Sequence, residues 1–215
     1  MPSPLTANLG RTVGPHPYGP GVLDLLLPRR CVCCGTTGVG LCRTCATSLP
    51  AAPDLAAPPG YSACWSLLRY EGPTRDVVAA LKFRGHHDAV ELLCRAMAAL
   101  VDAPVDVVTW APTSGARRRR RGFDQAELLA TRIARHLGRP CRSLLVREAW
   151  GPQTGRGRGE RLTGAAFRPS RGDGAGSVLV VDDVRTTGAT LCAAADALVE
   201  RGHERILGLT LAVRP

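Results

Sequence analysis

The sequence predicts an α/β protein with a mostly parallel sheet that has helices on both faces, preceded by a small cysteine-rich module. From Ser62 onward, short apolar runs alternate with segments of helical periodicity, which is typical of βα units. Residues 178–181 are entirely apolar, as expected of a strand that is buried on both faces. Two C-x-x-C pairs lie before this pattern begins and indicate a separate function for the N-terminal part.

The strands and helices of the α/β part are predicted from hydrophobic periodicity and from capping residues. Asp124 is a good N-cap, Glu127 predicts a capping-box-like pair, and Gly138 ends that helix. Residues 150–164 are rich in glycine and arginine and predict a mobile loop. The remaining strands are predicted at 63–70, 105–110, 143–147, 178–181 and 206–213, and the remaining helices at 74–83, 89–101 and 189–201.

Composition divides the chain into three predicted parts. Residues 1–21 are rich in proline and glycine and predict a flexible tail. Residues 22–50 hold the cysteine pairs, the proline-rich stretch 50–60 predicts a boundary, and residues 61–215 form the α/β domain. No early apolar stretch is long enough to span a bilayer, so no membrane insertion is expected.

The cysteine pattern predicts a structural zinc site. Cys31, Cys34, Cys42 and Cys45 form two C-x-x-C knuckles, and four thiolates suit tetrahedral zinc without an open coordination position. Cys33 is surplus and stays open as an alternative ligand. The other cysteines are scattered singly, so the chain is expected in a reducing, cytoplasmic environment.

The formal net charge is +10, and arginine carries nearly all of it. This balance suits a polyanionic partner, although genome base composition explains it equally well. Lys82 stands alone among many arginines, which suggests either a site that needs an ammonium group or a chance surface residue. Residues 117–121 are five consecutive arginines.

The most informative segment is an acidic pair that follows the apolar strand 178–181. Asp182 and Asp183 can accept hydrogen bonds from vicinal ribose hydroxyls. The following turn opens a helix, and free N–H groups at a helix N-terminus favour phosphate. Thr186, Thr187 and Thr190 add hydroxyl donors, while Gly188 allows close backbone approach. A phosphate cradle beside a diol clamp predicts a ribose 5-phosphate site.

This acidic pair with Thr-Thr-Gly-Ala-Thr resembles the signature of type I phosphoribosyltransferases. Further motifs narrow the resemblance to the ComF family, which is associated with DNA uptake in competent bacteria. In chain order they are Cys31-Val-Cys-Cys34-Gly, Leu41-Cys42-Arg-Thr-Cys45, Tyr70-Glu-Gly, Leu81-Lys82-Phe83-Arg-Gly85 and Arg121-Gly122-Phe123-Asp124-Gln125-Ala126. The resemblance covers about residues 22–215 and implies the type I phosphoribosyltransferase fold.

The resemblance also implies a ligand and the residues that bind it. The ligand is phosphoribosyl pyrophosphate, bound with Mg²⁺, and the resemblance implies catalytic roles for Asp182, Asp183, Arg147 and Arg161. A loop after the second strand is implied to hold pyrophosphate, and a mobile loop at 150–163 to close over the reaction. The implied ligand-binding residues are Asp182, Asp183, Arg185, Thr186, Thr187, Gly188, Ala189, Thr190, Pro112, Thr113, Ser114 and Lys82.

Two functions are compatible with the resemblance. One is an enzyme that transfers the phosphoribosyl group to an unidentified acceptor or to water. The other is a non-catalytic accessory factor that senses phosphoribosyl pyrophosphate and binds single-stranded DNA and a helicase-like partner. For the arginines at 117–121, a phosphate-facing role is expected for one or two, and solvent or DNA for the rest. The family resemblance leads us to expect Asn where this chain has Asp124.

Overall fold

The computed structural model describes residues 29–81, 87–148, 165–170, 174 and 176–215. The described part contains a short helix in the cysteine module, followed by strands and helices that alternate along the chain. The strands are β1 Ala63–Arg69, β2 Val107–Trp110, β3 Leu145–Arg147, β4 Phe167–Pro169, β5 Ser177–Arg185 and β6 Arg205–Val213. The helices are α1 Arg43–Ser48, α2 Pro73–Ala80, α3 His87–Ala98, α4 Gly115–Arg121, α5 Gln125–Leu137 and α6 Ala189–Glu200.

The central sheet is parallel, as predicted. Its four strands lie in the order β1-β6-β5-β2, and each neighbouring pair is parallel. The two inner strands, β5 and β6, carry the most apolar sequences, because both of their faces are covered. All four carboxyl ends therefore lie along the same edge of the sheet, which is where open parallel sheets bind ligands.

Helices cover both faces of the sheet, again as predicted. Alternate residues of β5 point to opposite sides: Leu179 and Val181 belong to one buried cluster, and Val178 and Val180 to the other. The first cluster packs α2, α3 and α5 against the sheet. The second packs α6 and the antiparallel pair β3–β4 against the opposite face. This arrangement confirms the predicted α/β class.

The helix α5 begins and ends at the predicted residues. The Asp124 side chain accepts a hydrogen bond from the Ala126 N–H at 3.0 Å, and Gly138 ends the helix in the left-handed conformation. Glu127 does not complete a capping box in the hydrogen bonds that the structure shows. Its carboxylate instead lies 3.9 Å from the Arg118 guanidinium, because α4 brings that arginine over the first turn of α5.

The structure differs from the sequence-based expectation at the end of β5. This strand continues through the acidic pair to Arg185 instead of ending at residue 181, because β6 continues to pair alongside it. Asp182 is paired with Thr210, and Arg185 with Val213. The helix α4 and the strand β4 were not predicted, since neither five arginines nor a three-residue strand has a detectable period.

The proline-rich boundary contacts the sheet. Ala51 forms an antiparallel bridge with Leu68, and the Ala52 N–H donates to the Leu67 carbonyl at 3.1 Å. In the cysteine module, buried Leu41 and Leu49 belong to the same apolar cluster as α2 and α3. The division into a module at 22–50 and a domain at 61–215 remains a prediction. The tail 1–21 and the loop 150–164 lie outside the described residues.

Within the part of the chain that the structure describes, no helix is both long and apolar enough to cross a membrane.

Candidate functional site

The acidic pair lies at the carboxyl end of β5, close to the middle of the sheet edge. Both carboxylates are half-buried and are held by the backbone of the next residue. The Asp183 N–H donates to Asp182 Oδ1 at 2.8 Å, and the Val184 N–H donates to Asp183 Oδ1 at 2.7 Å. These bonds hold each carboxyl group against the backbone N–H of the residue that follows it, near the end of the strand. Such a pair can accept hydrogen bonds from a diol or contribute to a divalent cation site.

The electrostatic environment of Asp182 disfavours its ionised form. Burial raises the pKa of Asp182 well above its ordinary value of 3.8, and the neighbouring charge of Asp183 raises it further. Asp124 adds a third negative charge that acts in the same direction. A cation or a hydrogen-bond donor placed here would therefore relieve unfavourable electrostatics, which is typical of functional sites.

The turn after β5 leads directly into α6. Gly188 is the N-cap of α6 and has φ 79°, in the left-handed region where a side chain would be strained. The Thr187 hydroxyl accepts from the Ala189 N–H at 3.3 Å, while Thr186 and Ala189 are exposed and Thr190 is half-buried. The predicted phosphate-binding residues thus form a turn at a helix N-terminus, adjacent in the chain to the acidic pair, in which Thr186, Thr187 and Ala189 are exposed and Gly188 is buried.

A second loop, residues 111–114, starts at the neighbouring strand β2. The Ala111 N–H donates to the Val181 carbonyl at 3.1 Å. Val181 is the residue before the acidic pair, so the start of this loop lies next to that pair in the adjoining strand β5. The Thr113 N–H donates to Asp124 Oδ2 at 2.8 Å. The structure therefore brings together the loop predicted to hold pyrophosphate and the acidic pair predicted to hold ribose.

Arg147 attaches the β3–β4 hairpin to this second loop. Its Nη1 donates to the Pro112 carbonyl at 3.1 Å, and its guanidinium carbon lies 5.5 Å from the centre of the Phe167 ring. The chain between β3 and β4 includes the predicted mobile loop, so Arg147 lies at the start of that loop. The predicted residues Arg161 and Lys82 lie outside the described part of the chain.

Arg185 lies beside the predicted phosphate-binding turn, since its Nε would be 3.9 Å from a Cβ placed on Gly188. Its Nη2 donates to the Ala56 carbonyl at 2.8 Å, in the proline-rich segment that precedes β1. A Cβ placed on Gly188 would be 3.6 Å from Pro58, so the same segment also lies against the turn. The structure thus places Arg185 in contact with the boundary segment, and its predicted role in ligand binding stays a prediction.

The four predicted zinc ligands converge in the structure. One sulfur atom from each of Cys31, Cys34, Cys42 and Cys45 lies within 4.8 Å of every other. The Cys34 and Cys42 sulfurs are 3.7 Å apart, close to the separation of about 3.8 Å that tetrahedral Zn–S bonds of 2.3 Å require. The four residues could therefore hold a metal ion such as zinc, as their spacing predicts.

The pKa values of these thiols do not separate the four proposed ligands from the surplus cysteine. Burial raises the pKa of Cys31, but backbone N–H groups, first that of Cys42, outweigh burial and lower it to about 6. The hydroxyl of Thr36 lowers the pKa of Cys34. Burial and the charge of Cys31 raise the pKa of Cys33 to about 11, and the neighbouring thiols of Cys42 and Cys34 raise the pKa of Cys45 as well. Geometry makes the distinction, because the sulfur atoms that all lie within 4.8 Å of one another are those of Cys31, Cys34, Cys42 and Cys45, and Cys33 does not belong to this group.

Two site contacts were missed by reasoning from the sequence. The Asp124 side chain bonds the loop after β2 as well as capping α5, and Arg147 bonds the same loop. A capping position predicts only the local bond, so these contacts required the tertiary structure. Both carboxylate oxygens of Asp124 accept hydrogen bonds, and neither contact needs the amide donor that Asn would bring.

Comparison with known proteins gives one curated relative and a set of solved structures. Competence protein ComFC of Bacillus subtilis (strain 168) is 29% identical over 143 residues, which cover 64% of this chain and 58% of ComFC. The chain thus spans less than two thirds of that relative's length. No family model matches the chain.

The similar solved structures include glutamine phosphoribosylpyrophosphate amidotransferase from B. subtilis, complexed with ADP and GMP. It is 20% identical to this chain, with a TM-score of 0.44, and the matched region covers 61% of this chain and 30% of the amidotransferase chain. A hypoxanthine phosphoribosyltransferase from Staphylococcus aureus is 14% identical, with a TM-score of 0.37, and the matched region covers 59% of this chain and 64% of the transferase chain. The similarity to ComFC confirms the resemblance of this chain to the ComF family that its motifs predicted.

Proposed function

We propose that the chain binds phosphoribosyl pyrophosphate with Mg²⁺ at the carboxyl edge of the sheet. The observation that carries this proposal is the convergence of three features there. Asp182 and Asp183 end the buried part of β5, the turn 186–190 opens α6, and the loop 111–114 leaves the adjoining strand β2. A diol clamp, a phosphate-binding turn and a second anion-binding loop match the three parts of this ligand.

Each part of the ligand has a proposed set of binding residues. The carboxylates of Asp182 and Asp183 accept the ribose hydroxyls, and the turn 186–190 binds the 5-phosphate through backbone N–H and threonine hydroxyl groups. The loop 112–114 binds pyrophosphate, and Arg147 supports that loop through the Pro112 carbonyl. Lys82 and Arg161 are further proposed ligand-binding residues.

The proposed chemistry is loss of pyrophosphate from C1 of the ribose, with transfer of the phosphoribosyl group to an acceptor. Mg²⁺ would neutralise the charge that builds on the leaving group. The residues that fit its site are Asp182 and Asp183, because Mg²⁺ is usually held by one or two carboxylates together with substrate phosphates. The chain's own contribution is to orient the ribose, hold the pyrophosphate and exclude water behind the loop between β3 and β4.

The direct test is calorimetric titration of phosphoribosyl pyrophosphate with Mg²⁺. Wild type is compared with Asp182→Asn/Asp183→Asn and with Asp196→Asn, which removes one exposed carboxylate from α6. We expect micromolar binding to wild type and to the control, and no measurable binding to the double variant. Absence of binding to folded, zinc-loaded wild type would refute the proposal.

The similarity to ComFC supports a role in competence, which we propose for this chain as well. The same similarity is also compatible with the second candidate function, a non-catalytic sensor of phosphoribosyl pyrophosphate that binds single-stranded DNA and a helicase-like partner. The exposed arginines 118–120 of α4 favour that candidate, since phosphate contacts dominate DNA affinity. Turnover with candidate bases would support the enzyme. Salt-dependent DNA binding without turnover would support the accessory factor.

A further inference from the structure

The arginine helix α4 lies in a segment, residues 111–124, whose two ends are joined by a hydrogen bond. The chain leaves β2 at Trp110, forms the loop 111–114 and then α4, and returns at Asp124. The Thr113 N–H donates to Asp124 Oδ2 at 2.8 Å, which joins the two ends of the segment. Asp124 is only 4% exposed, and its hydrogen bond to the Thr113 N–H is part-buried, so it is partly shielded from water.

The arginine side chains of α4 differ in their surroundings. Arg118 is directed towards Glu127, with 3.9 Å between the charged groups. Arg119 folds back over the start of the helix, and a Cβ placed on Gly115 would be 3.3 Å from its Nη1. Gly115 immediately follows the loop 111–114, so the Arg119 guanidinium lies beside that loop. Arg120 is exposed on the same helix.

We propose that Arg119 binds the anionic group held by the loop 112–114, and that Asp124 is the positioning residue that fixes this loop. The Thr113 N–H is already committed to Asp124, so other donors must complete the anion site. A guanidinium offers five donors in a planar fork that matches phosphate oxygens. This inference rests on the proposed function, in which the anion is the pyrophosphate part of the ligand.

The experiment compares Arg119→Gln with Arg120→Gln, because both remove one positive charge from the same helix. Each variant is titrated separately with Mg²⁺-pyrophosphate and with ribose 5-phosphate. We expect Arg119→Gln to weaken pyrophosphate binding about tenfold, as for loss of one charged hydrogen bond, and Arg120→Gln to change it less than threefold. Ribose 5-phosphate affinity should be unchanged in both variants.

Asp124→Ser tests the positioning role. A serine hydroxyl still caps α5 but is too short to reach the loop as well, so the variant keeps the helix and removes the Thr113 bond. Pyrophosphate binding should weaken about tenfold while ribose 5-phosphate binding is retained. Equal weakening of both ligands would show that Asp124 is only structural, and would overturn this half of the inference.

The outcomes separate the inference from the proposed function. If wild type binds neither phosphoribosyl pyrophosphate nor pyrophosphate, the proposed function fails and the inference fails with it. If wild type binds both ligands but Arg119→Gln and Arg120→Gln lose the same affinity, the arginines act only as a general positive field. The proposed function then stands, and the assignment of Arg119 is wrong. Thermal melting of each variant verifies that it is folded.

Discussion

Replacing Asp124 should destabilise the protein through two separable hydrogen bonds. Asp124→Ala removes the helix cap at Ala126, which contributes about 1 kcal/mol in typical helices. It also leaves the part-buried Thr113 N–H without its partner, which costs about 1–2 kcal/mol. The expected loss is about 2–3 kcal/mol. For a chain of this size that corresponds to a fall in Tm of about 5–10 °C.

Asp124→Ser separates the two contributions, because serine retains the cap. Its expected loss is only the loop contribution, about 1–2 kcal/mol or roughly 3–6 °C in Tm. Urea denaturation with a fluorescence readout measures both variants, and Asp196→Ser serves as an exposed control. If Asp124→Ser is as stable as wild type, the Thr113 bond contributes nothing. The reasoning that connects Asp124 to the loop would then be refuted.

Three further predictions concern the acidic pair, the core and the cysteine site. Because the pKa of Asp182 is raised in the folded protein, its contribution to stability is complete below about pH 3.8 and is lost as the pH rises through the raised value. Ligand-free Asp182→Asn should therefore be more stable than wild type at pH 7 in urea denaturation, and lower stability would contradict this. Gly208→Ala would place its Cβ 2.7 Å from the Cys64 sulfur and cost about 1–3 kcal/mol, and Cys64→Ala in the same chain should recover most of that loss. Cys42→Ser should abolish stoichiometric zinc in elemental analysis and lower Tm, whereas Cys192→Ser, outside the cluster, should retain the metal.

The fold class could be predicted from the sequence because its signals are local and strong. The apolar run at the start of β5 predicts a strand that is buried on both faces, and Asp124 and Gly138 predict the two ends of α5. Each depends on a residue's chemistry and on its neighbours in the chain. The predicted end of β5 was wrong, because β5 is extended by the pairing of Asp182 with Thr210. Thr210 lies in β6, 28 residues further along the chain.

At the cysteine cluster, too, one part was predicted from the sequence and another required the folded chain. Spacing identified Cys31, Cys34, Cys42 and Cys45, because two short knuckles can bring four thiols together whatever the rest of the chain does. Spacing left Cys33 open as an alternative ligand. The folded chain decides between them, because the four sulfur atoms that lie within 4.8 Å of one another are those of Cys31, Cys34, Cys42 and Cys45.

For this protein, the sequence alone determined the α/β class, the cysteine cluster and the acidic pair with the glycine- and threonine-containing turn that follows it. These features are encoded by residues that are close together in the chain, so short-range spacing is sufficient to predict them. Only the tertiary structure decided which groups meet across the sheet edge: Asp124 with Thr113, Arg147 with Pro112, and Arg185 with Ala56. Those contacts join residues 11 to 129 positions apart, and their partners are selected by strand order and packing.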